Sequence, residues 1–458
     1  MTPSHRQIEP LLVRGGTVVD GGIRGGLDVL LTDGRVAAVG EDLAAPGVRQ
    51  IDAGGCFVLP GGVDPHTHVL GAVASDTRSA LAGGTTTALV FADGLPGERM
   101  AETVVRTIEQ ELGAAAIDIG LHGVLWEPEA YREGDVAALA AAGAPSLKLW
   151  LAYRELGIQI DDGSAYRVLH ECAREGVLAL AHCENGDVIL ARREELVAVG
   201  RRSLQEHPGS RPIALEAEAV HRFLALAEIA EATAYVVHVS GDRPLQQIVA
   251  ARGRGQRVYA ECCSHHLLFD EDVYATADAC RFLMTPPLRS PADRDALWQG
   301  LAEGAIDTYA SDHSHLTLAS KLAAGNDFTR AEYGLPGIGA RLSIALGFGY
   351  TQGRLGIERA VEACCAAPAR IFGLAPRKGT LRPGADADVV VYDPAVRATL
   401  GLAGLQDGLD YSPYEGLELQ GSIRHVIAGG EHAVRDGVLV GRARPGMFLP
   451  RPPLARCA

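Results

Sequence analysis

Several features that would point to other classes of protein are missing from this sequence. It contains no run of about 18 uninterrupted apolar residues, so we expect no membrane-spanning helix. It has no long basic stretch, and its formal net charge of −15 would repel phosphate backbones, which argues against nucleic acid as a partner. The first ten residues lack the apolar core of a signal peptide.

The nine cysteines include no Cys-x-x-Cys pair and are spread over 458 residues. An odd number of thiols, with Cys262 and Cys263 adjacent, is typical of reduced buried cysteines rather than of a disulfide framework. Hydrophobic residues make up 47% and charged residues 22%, which is ordinary for a soluble globular enzyme. We therefore expect a cytoplasmic protein whose large core needs no disulfides.

Both ends of the chain have the texture of small antiparallel sheets. Short β-type runs at 11–13 and 28–31 are separated by Gly-Gly and Asp-Gly turns, and similar runs return at 388–392 and 423–427. Neither end is long enough to form a stable domain alone. We expect residues 1–56 and 376–458 to pack together as one small β-sandwich.

The middle of the chain, residues 57–375, alternates short apolar runs with Ala/Leu/Glu-rich helical stretches such as 135–142, 165–175 and 213–232. Eight strands with intervening helices are what a (β/α)8 barrel, or TIM barrel, requires. The predicted strands are 56–59 running into 63, 85–91, 117–124, 146–151, 177–181, 234–239, 257–261 and 306–311.

Residues of metal-ligating type lie within or directly after these apolar runs. In this fold, functional residues collect at the carboxyl-terminal ends of the strands, because the loops there form one rim. Taken singly, each has an ordinary explanation, since a histidine after a strand is usually a hydrogen-bonded core residue and a lone aspartate a turn residue. Their joint occurrence in this order favours a metal site. The candidates are His66, His68, Lys148, His182, His238 and Asp312.

Lys148 is the most informative candidate, because a lysine inside an apolar strand needs a partner. An ammonium cannot ligate a cation, and its deprotonation at neutral pH costs about 4.6 kcal/mol from a reference pKa of about 10.4. Desolvation and two nearby divalent cations can supply that free energy. The free amine would then react with carbon dioxide to give N6-carboxylysine, whose two oxygens can bridge two metals. The imidazole-rich set favours Zn²⁺, with manganese, cobalt or iron as alternatives.

Motifs along nearly the whole chain resemble the dihydropyrimidinase, hydantoinase and allantoinase group of the amidohydrolase superfamily. The resemblance implies two zinc-type ions bridged by carboxylated Lys148, with His66, His68 and Asp312 on one ion and His182 and His238 on the other. The motifs are GGVDPHTH (61–68), LAGGTTT (81–87), SLKLWLAY (146–153), AHCENGD (181–187), YVVHVSG (235–241), MTPPLR (284–289), ASDHSH (310–315) and KGTLRPGADADVVVYDP (378–394).

The resemblance also implies an activity, the hydrolysis of a cyclic amide of the hydantoin or dihydropyrimidine type. Two cations sharing one water would lower its pKa and supply the hydroxide that attacks the ring carbonyl. Asp312 would pass the proton to the leaving ring nitrogen, and Tyr153 would donate to the oxyanion. Backbone groups near Thr285 and Tyr333 would orient the substrate, although relatives often have asparagine where Tyr333 stands. The resemblance further implies a homo-oligomer, with a tetramer favoured.

Other members of the superfamily are the main alternatives. Dihydroorotases typically place an arginine two residues after the second ligand histidine, where this chain has Leu70. Allantoinase is harder to exclude. Some relatives of dihydropyrimidinase are non-catalytic and have lost metal ligands, but all the candidate ligands are intact here. We interpret His313 and His315 as rim or structural residues, because the ligand set is already full.

The segment after the first barrel strand departs from the family. Only residues 69–82 separate His68 from the Gly-Gly-Thr-Thr turn that opens the next strand, which is several residues shorter than in relatives. The side chains at 69–73 are also smaller than the usual aromatic lining. We therefore predict more open volume beside the substrate's ring substituent, and hence a preference for bulky substituents over dihydrouracil.

Overall fold

The computed structural model describes residues 8–440 and 445–454. The chain begins with strands that form part of a sheet separate from the barrel. Within this sheet β1 pairs antiparallel with β2, which in turn pairs with β3, while β4 and β5 run parallel to β1. These strands are β1 (Leu11–Val19), β2 (Ile23–Thr32), β3 (Arg35–Gly40), β4 (Arg49–Asp52) and β5 (Phe57–Pro60).

A second sheet, in which all neighbouring strands are parallel, forms the barrel. Its last strand is interrupted at Ser311 and Asp312, and the segment beyond the interruption pairs with the first strand, which closes the barrel. The strands are β6 (Gly62–His68), β7 (Thr85–Phe91), β8 (Asp118–Val124), β9 (Ser146–Trp150), β10 (Leu178–His182), β11 (Ala234–Val236), β12 (Val258–Cys263), β13 (Thr308–Ala310) and β14 (His313–Ser314).

Helices surround the barrel, and their apolar faces form one large hydrophobic core with the outward-facing side chains of its strands. No helix in the described ranges is long and apolar enough to cross a membrane. The helices are α1 (Val73–Ala82), α2 (Met100–Gln110), α3 (Asp135–Ala141), α4 (Asp162–Glu175), α5 (Gly186–Ala198), α6 (His207–Ser210), α7 (Ile213–Ile229), α8 (Asp242–Gly253), α9 (Ser264–Leu268), α10 (Pro291–Glu303), α11 (Leu318–Leu322), α12 (Arg341–Ile344), α13 (Ile357–Val361), α14 (Ala367–Ile371) and α15 (Leu402–Leu405), with π-helical turns at Ala345–Tyr350 and Glu362–Ala366.

The carboxyl-terminal strands complete the first sheet. In this sheet β15 pairs antiparallel with both β5 and β16, so strands from the two ends of the chain are neighbours. The sheet encloses its own hydrophobic cluster, drawn from both ends of the chain. The predicted β-sandwich built from both termini is thereby confirmed. The strands are β15 (Val389–Thr399), β16 (Glu418–Ala428), β17 (Glu431–Arg435) and β18 (Val438–Leu439).

One predicted strand is wrong at its start. Residues 56–59 were expected to lead into the first barrel strand, but β5 belongs to the sandwich sheet and the barrel begins at β6. The chain crosses between the sheets at Gly61, where an added Cβ would lie 2.1 Å from the hydroxyl oxygen of Thr86. In the sequence, β5 and β6 look like a single apolar run. The break between them depends on the close approach of Thr86 to Gly61, which the local pattern does not reveal.

A chain segment near the carboxyl terminus packs on the barrel rather than on the sandwich. The amide of Ile119 in β8 donates to the carbonyl of Met447 at 2.9 Å, and the amide of Leu449 donates back to Ile119 at 2.8 Å. The guanidinium of Arg451 is buried and donates to the hydroxyl of Ser146 at 2.7 Å, at the start of β9. This segment therefore covers the amino-terminal end of the barrel, opposite the rim where the candidate ligands lie.

A buried lysine ties the sandwich to the barrel. The Nζ of Lys378 lies 2.6 Å from Asp118 in β8, and 2.9 and 2.7 Å from Asp386 and Asp388, which precede β15. Although burial lowers it, the three carboxylates raise the pKa of Lys378 above its ordinary value. The same aspartates meet the spacing of a metal site, but the lysine ammonium already compensates their charge.

Replacing Lys378 with methionine is expected to destabilise the protein by about 3–5 kcal/mol, because buried carboxylates then lose their counterion. The urea midpoint of unfolding measures this. The control is Arg377→Met, since Arg377 contacts the same Asp386 at 2.8 Å but is 38% exposed, and such a pair contributes about 0–1 kcal/mol. Equal shifts of the urea midpoint in the two variants would contradict this stabilising role of Lys378.

Candidate metal centre and active site

The sequence-predicted ligands all lie on one rim of the barrel. β6 ends on His68, β10 ends on His182, His238 follows β11, and Asp312 lies between β13 and β14. Lys148 lies inside β9 and is fully buried. The parallel strands bring these ends together, because each strand delivers its carboxyl end to the same side of the barrel.

His66, His68 and Asp312 form one group. The Nε2 of His66 lies 3.0 Å from Oδ1 of Asp312, and the Nε2 of His68 lies 3.7 Å from the same oxygen. Two imidazole nitrogens and a carboxylate oxygen thus converge on one point. This is a donor set that suits a zinc-type ion.

His182 and His238 form a second group. The Nδ1 of His182 lies 3.0 Å from the Nε2 of His238, and both side chains are buried. The ring centroids of His66 and His238 are 5.6 Å apart, so the two groups are neighbours. The geometry therefore offers two adjacent ligand sets in place of a single larger one.

Lys148 lies among aromatic rings at this centre. Its Nζ is 5.0 Å from the ring centroid of Phe91 and 4.8 Å from that of Trp150. Within the described parts of the chain, the Nζ has no hydrogen-bond partner. Burial lowers the pKa of Lys148 to about 8. A buried, unpartnered amine of reduced basicity fits a lysine that becomes an anionic, metal-bridging carbamate, and fits a structural ammonium poorly.

The backbone is strained at three of the predicted site residues. Tyr153, His238 and Asp312 have φ values of 71°, 39° and 48°, in the left-handed region that non-glycine residues rarely adopt. Such conformations persist only where the surrounding structure enforces them, and they cluster at active sites. The strain at these three residues agrees with roles that depend on where their side chains point.

Sequence reasoning missed Glu261, which supports the first group. It accepts hydrogen bonds from Nδ1 of His66, from the amide of His238 at 3.0 Å and from the hydroxyl of Tyr235 at 2.6 Å. A proton held on Nδ1 leaves Nε2 of His66 free to ligate. Although burial lowers it, Glu261 and Asp312 raise the pKa of His66 to about 9, so the surroundings of this ring favour a positive charge. A glutamate inside the apolar strand β12 is the signal that could have revealed it.

Sequence reasoning also missed a network behind the second group. The Nε2 of His182 lies 2.8 Å from Glu184, which accepts from Arg211 at 2.6 Å. Although burial raises it, Arg211 and His182 hold the pKa of Glu184 down at about 2. The guanidinium carbon of Arg211 lies 5.3 and 5.7 Å from the ring centroids of Tyr153 and Tyr333. Arg211 thus connects Tyr153 and Tyr333, two of the predicted substrate-contacting residues, to the candidate ligand His182.

The three predicted substrate-contacting residues lie close together. The hydroxyls of Tyr153 and Thr285 share a hydrogen bond. The ring of Tyr333 stacks on His207 at 4.8 Å between centroids, and its hydroxyl donates to the carbonyl of Phe328 at 2.6 Å. The Tyr333 side chain is engaged in these contacts, and in the same turn the Gly334 amide donates to the carbonyl of Leu283 at 3.1 Å, so part of the turn's backbone is already paired.

A second buried lysine fixes the spacing of these segments. The Nζ of Lys321 donates to the carbonyls of Leu283 and Glu332, at 2.6 and 2.9 Å. Each acceptor lies within two residues of a predicted substrate contact, Thr285 or Tyr333. Lys321 therefore holds the two segments at a fixed separation.

The histidines after Asp312 have other partners. Asp76 in α1 lies 2.9 Å from Nε2 of His313 and 2.8 Å from Nδ1 of His315. The amide of Gly337 donates to Nδ1 of His313 at 3.0 Å, so Nε2 carries the proton and faces Asp76. These contacts fit the structural interpretation of both histidines.

The short segment after His68 differs from expectation. Residues 73–82 form α1, and both Val69 and Val73 are buried in the main hydrophobic core. They pack under the rim and do not line an open wall, because the apolar face of α1 faces the barrel. Only Leu70 and Ala72 of the expected small side chains remain partly exposed.

Comparison with known proteins identifies the family. A model described as the amidohydrolase family matches residues 57–433. The chain is 37% identical to D-phenylhydantoinase from Escherichia coli O1:K1 / APEC, over 97% of this chain and 98% of that protein. Dihydropyrimidinase from Brevibacillus agri NCHU1002 has a TM-score of 0.93 at 32% identity, covering 98% and 100% of the two chains. D-hydantoinase (dihydropyrimidinase) from Thermus sp. has a TM-score of 0.92 at 34% identity, covering 97% and 99%. The predicted superfamily and barrel fold are confirmed, and this chain belongs to the amidohydrolase family.

Proposed function

We propose that this enzyme opens cyclic amide rings of the hydantoin or dihydropyrimidine type with the help of two divalent cations. The observation that carries the proposal is the pair of adjacent candidate ligand groups beside a buried lysine whose amine has no hydrogen-bond partner among the described residues. The relatives' names, D-phenylhydantoinase and dihydropyrimidinase, support the class of ring.

In this proposal His66, His68 and Asp312 would hold one ion, and His182 and His238 would hold the other. A carboxylated Lys148 would bind both, and Zn²⁺ is the ion that the nitrogen-rich set favours. When bound, the two ions would supply an activated water and a Lewis acid for the ring carbonyl.

The chain's own residues then move the proton and hold the ring. Asp312 accepts the proton of the attacking water and delivers it to the ring nitrogen as the carbon–nitrogen bond breaks, so the leaving group departs as a neutral amine or amide. Although burial raises it, His66 keeps the pKa of Asp312 well below its ordinary value, so the group is an ionised carboxylate at neutral pH. The Tyr153 hydroxyl donates to the oxygen on which charge develops, and Thr285 holds that hydroxyl in place.

Dihydroorotate and allantoin are the competing substrates within the same class of reaction. A carboxylate-bearing ring needs a cationic clamp near the second ligand histidine, and Leu70 occupies the expected position. Assay of the purified protein against dihydrouracil, hydantoins, allantoin and dihydroorotate tests the proposal. We expect turnover of a hydantoin or dihydropyrimidine, and turnover of allantoin or dihydroorotate alone would overturn it.

The proposed substrate preference rests on the shortness of the segment after β6, in which Val69 and Val73 are buried and only Leu70 and Ala72 of the small apolar side chains stay partly exposed. We expect kcat/KM to rise from dihydrouracil and unsubstituted hydantoin to alkyl- and aryl-substituted rings, because each methylene buried in the pocket contributes about 0.8 kcal/mol, or roughly fourfold. The measurement is kcat/KM across one graded series. A preference for dihydrouracil over every substituted ring would show that the space beside Leu70 is filled.

A further inference from the structure

A second cluster of ligand-type side chains lies at the end of the seventh barrel strand. Cys263 is the last residue of β12, and His265 and His266 lie in the first turn of α9. Their exposed fractions are 0%, 1% and 2%. One ligand atom from each side chain lies within 4.8 Å of the other two. None of the three belongs to the proposed two-metal centre.

The alternation of β12 turns the thiol of Cys263 towards the inside of the barrel. Cys262 and Ala260 belong to the outer core between strands and helices, whereas Tyr259 belongs to the inner cluster. Glu261, on the inner face, reaches His66. Because side chains alternate along a strand, Cys263 shares the inner face with Glu261.

The imidazoles of this cluster are short of partners. Among the described residues, neither ring nitrogen of His265 has a hydrogen-bond partner. The Nε2 of His266 donates to the carbonyl of Pro286 at 3.1 Å, which leaves Nδ1 as a bare lone pair, also without a partner. Leaving a buried polar atom unsatisfied is destabilising, so several such atoms in one place call for a ligand.

The neighbouring histidine cluster has a carboxylate beside its imidazoles. There Asp76 accepts a hydrogen bond from Nδ1 of His315 at 2.8 Å and lies 2.9 Å from Nε2 of His313, and the amide of Gly337 donates to Nδ1 of His313. Among the residues that the structure describes, no carboxylate accepts a hydrogen bond from His265 or His266. The lone pairs of the Cys263 cluster are therefore available to an electron-pair acceptor.

We propose that Cys263, His265 and His266 bind a third cation of the zinc type, separate from the two ions of the catalytic centre. One thiolate and two neutral imidazoles suit zinc or cobalt and are poor ligands for magnesium or calcium. On binding, the Cys263 thiol releases its proton to solvent and its sulfur coordinates the ion. Three protein ligands leave a fourth position of the tetrahedral site to water.

The thiolate gives this site a spectroscopic signature that the catalytic centre lacks. The proposed ligands of the two catalytic ions are nitrogen and oxygen only, so a sulfur-to-cobalt charge-transfer band in the near ultraviolet reports on the Cys263 site. The full-length protein is depleted of metal, loaded with Co²⁺ and freed of excess ion. A Cys457→Ser background removes the thiol that lies outside the described residues.

We expect about three cobalt ions per chain and a charge-transfer band in this protein. Cys263→Ser should lose the band and one ion, and His265→Gln should lose one ion while the thiol remains. Cys262→Ser and Cys183→Ser are matched controls, because both thiols are buried. Cys262 lies in β12 beside Cys263, and Cys183 directly follows β10. Both variants should keep the band. Two ions without a band in the protein with all eight described cysteines intact, or a band that persists in Cys263→Ser, would overturn the proposal. If the chain still binds two ions but shows no band, the Cys263 site fails while the catalytic centre stands. The two proposals can therefore fail independently.

Discussion

Replacing Lys148 with alanine is expected to abolish ring opening, and short carboxylic acids added to the variant are expected to restore part of it. Lys148 has a fully buried amine that lies among aromatic rings beside two groups of candidate ligands and has no hydrogen-bond partner in the described part of the chain. Once carboxylated it would be the bridge between the ions, and a small carboxylate can occupy the space that the side chain leaves. The measurements are kcat/KM, with and without acetate or propionate, and the metal content per chain.

The matched control is Lys321→Met. Lys321 is also a buried lysine, but its ammonium donates to two carbonyls that position substrate-contacting segments. We expect this variant to keep its metal content, to raise KM more than it lowers kcat, and to show no rescue by carboxylic acids. A Lys148→Ala variant with wild-type activity, or equal rescue of both variants, would contradict the bridging role.

Asp312→Asn is expected to keep the fold and to lower kcat by about 10²–10⁴-fold, the range typical of general acid–base groups. The amide retains an oxygen for the cation but cannot accept and return a proton. Asp312 lies 3.0 Å from His66 and is held in a left-handed backbone conformation, so its position is fixed by the closure of the barrel. Steady-state kinetics with a substituted hydantoin measure the effect.

The control for Asp312 is Asp76→Asn, a buried aspartate that contacts His313 and His315 on the same rim. That change perturbs local packing without touching the proposed proton path, so we expect it to affect stability more than kcat. Near-wild-type kcat in Asp312→Asn would remove this residue from proton transfer.

The barrel could be predicted because its strands are short apolar runs that end in polar residues. The run 85–91 coincides with β7, and the predicted 146–151 differs from β9 by a single residue at its end. The periodicity of side chains within one strand is local information, which the sequence carries directly. The candidate ligands followed from the same runs, because in this fold functional residues collect at the strand ends.

The remaining features depend on contacts between distant parts of the chain. Glu261 supports His66 across 195 residues of sequence, and the bond from Arg451 to Ser146 spans 305 residues. The division between β5 and β6 is likewise fixed by the approach of Thr86 to Gly61. No local pattern encodes such pairings. The support of His66 by Glu261 and the packing of the carboxyl-terminal segment on the amino-terminal end of the barrel are therefore visible only in the structure.

The most direct test of the two-metal proposal is the rate at which metal-depleted protein opens a phenyl-substituted hydantoin, before and after Zn²⁺ is returned. We predict no measurable turnover in the depleted protein and recovery on addition of zinc. Lys148→Ala, treated in the same way, should stay inactive unless a short carboxylic acid is also added. Full activity in the metal-depleted protein would contradict the proposed function.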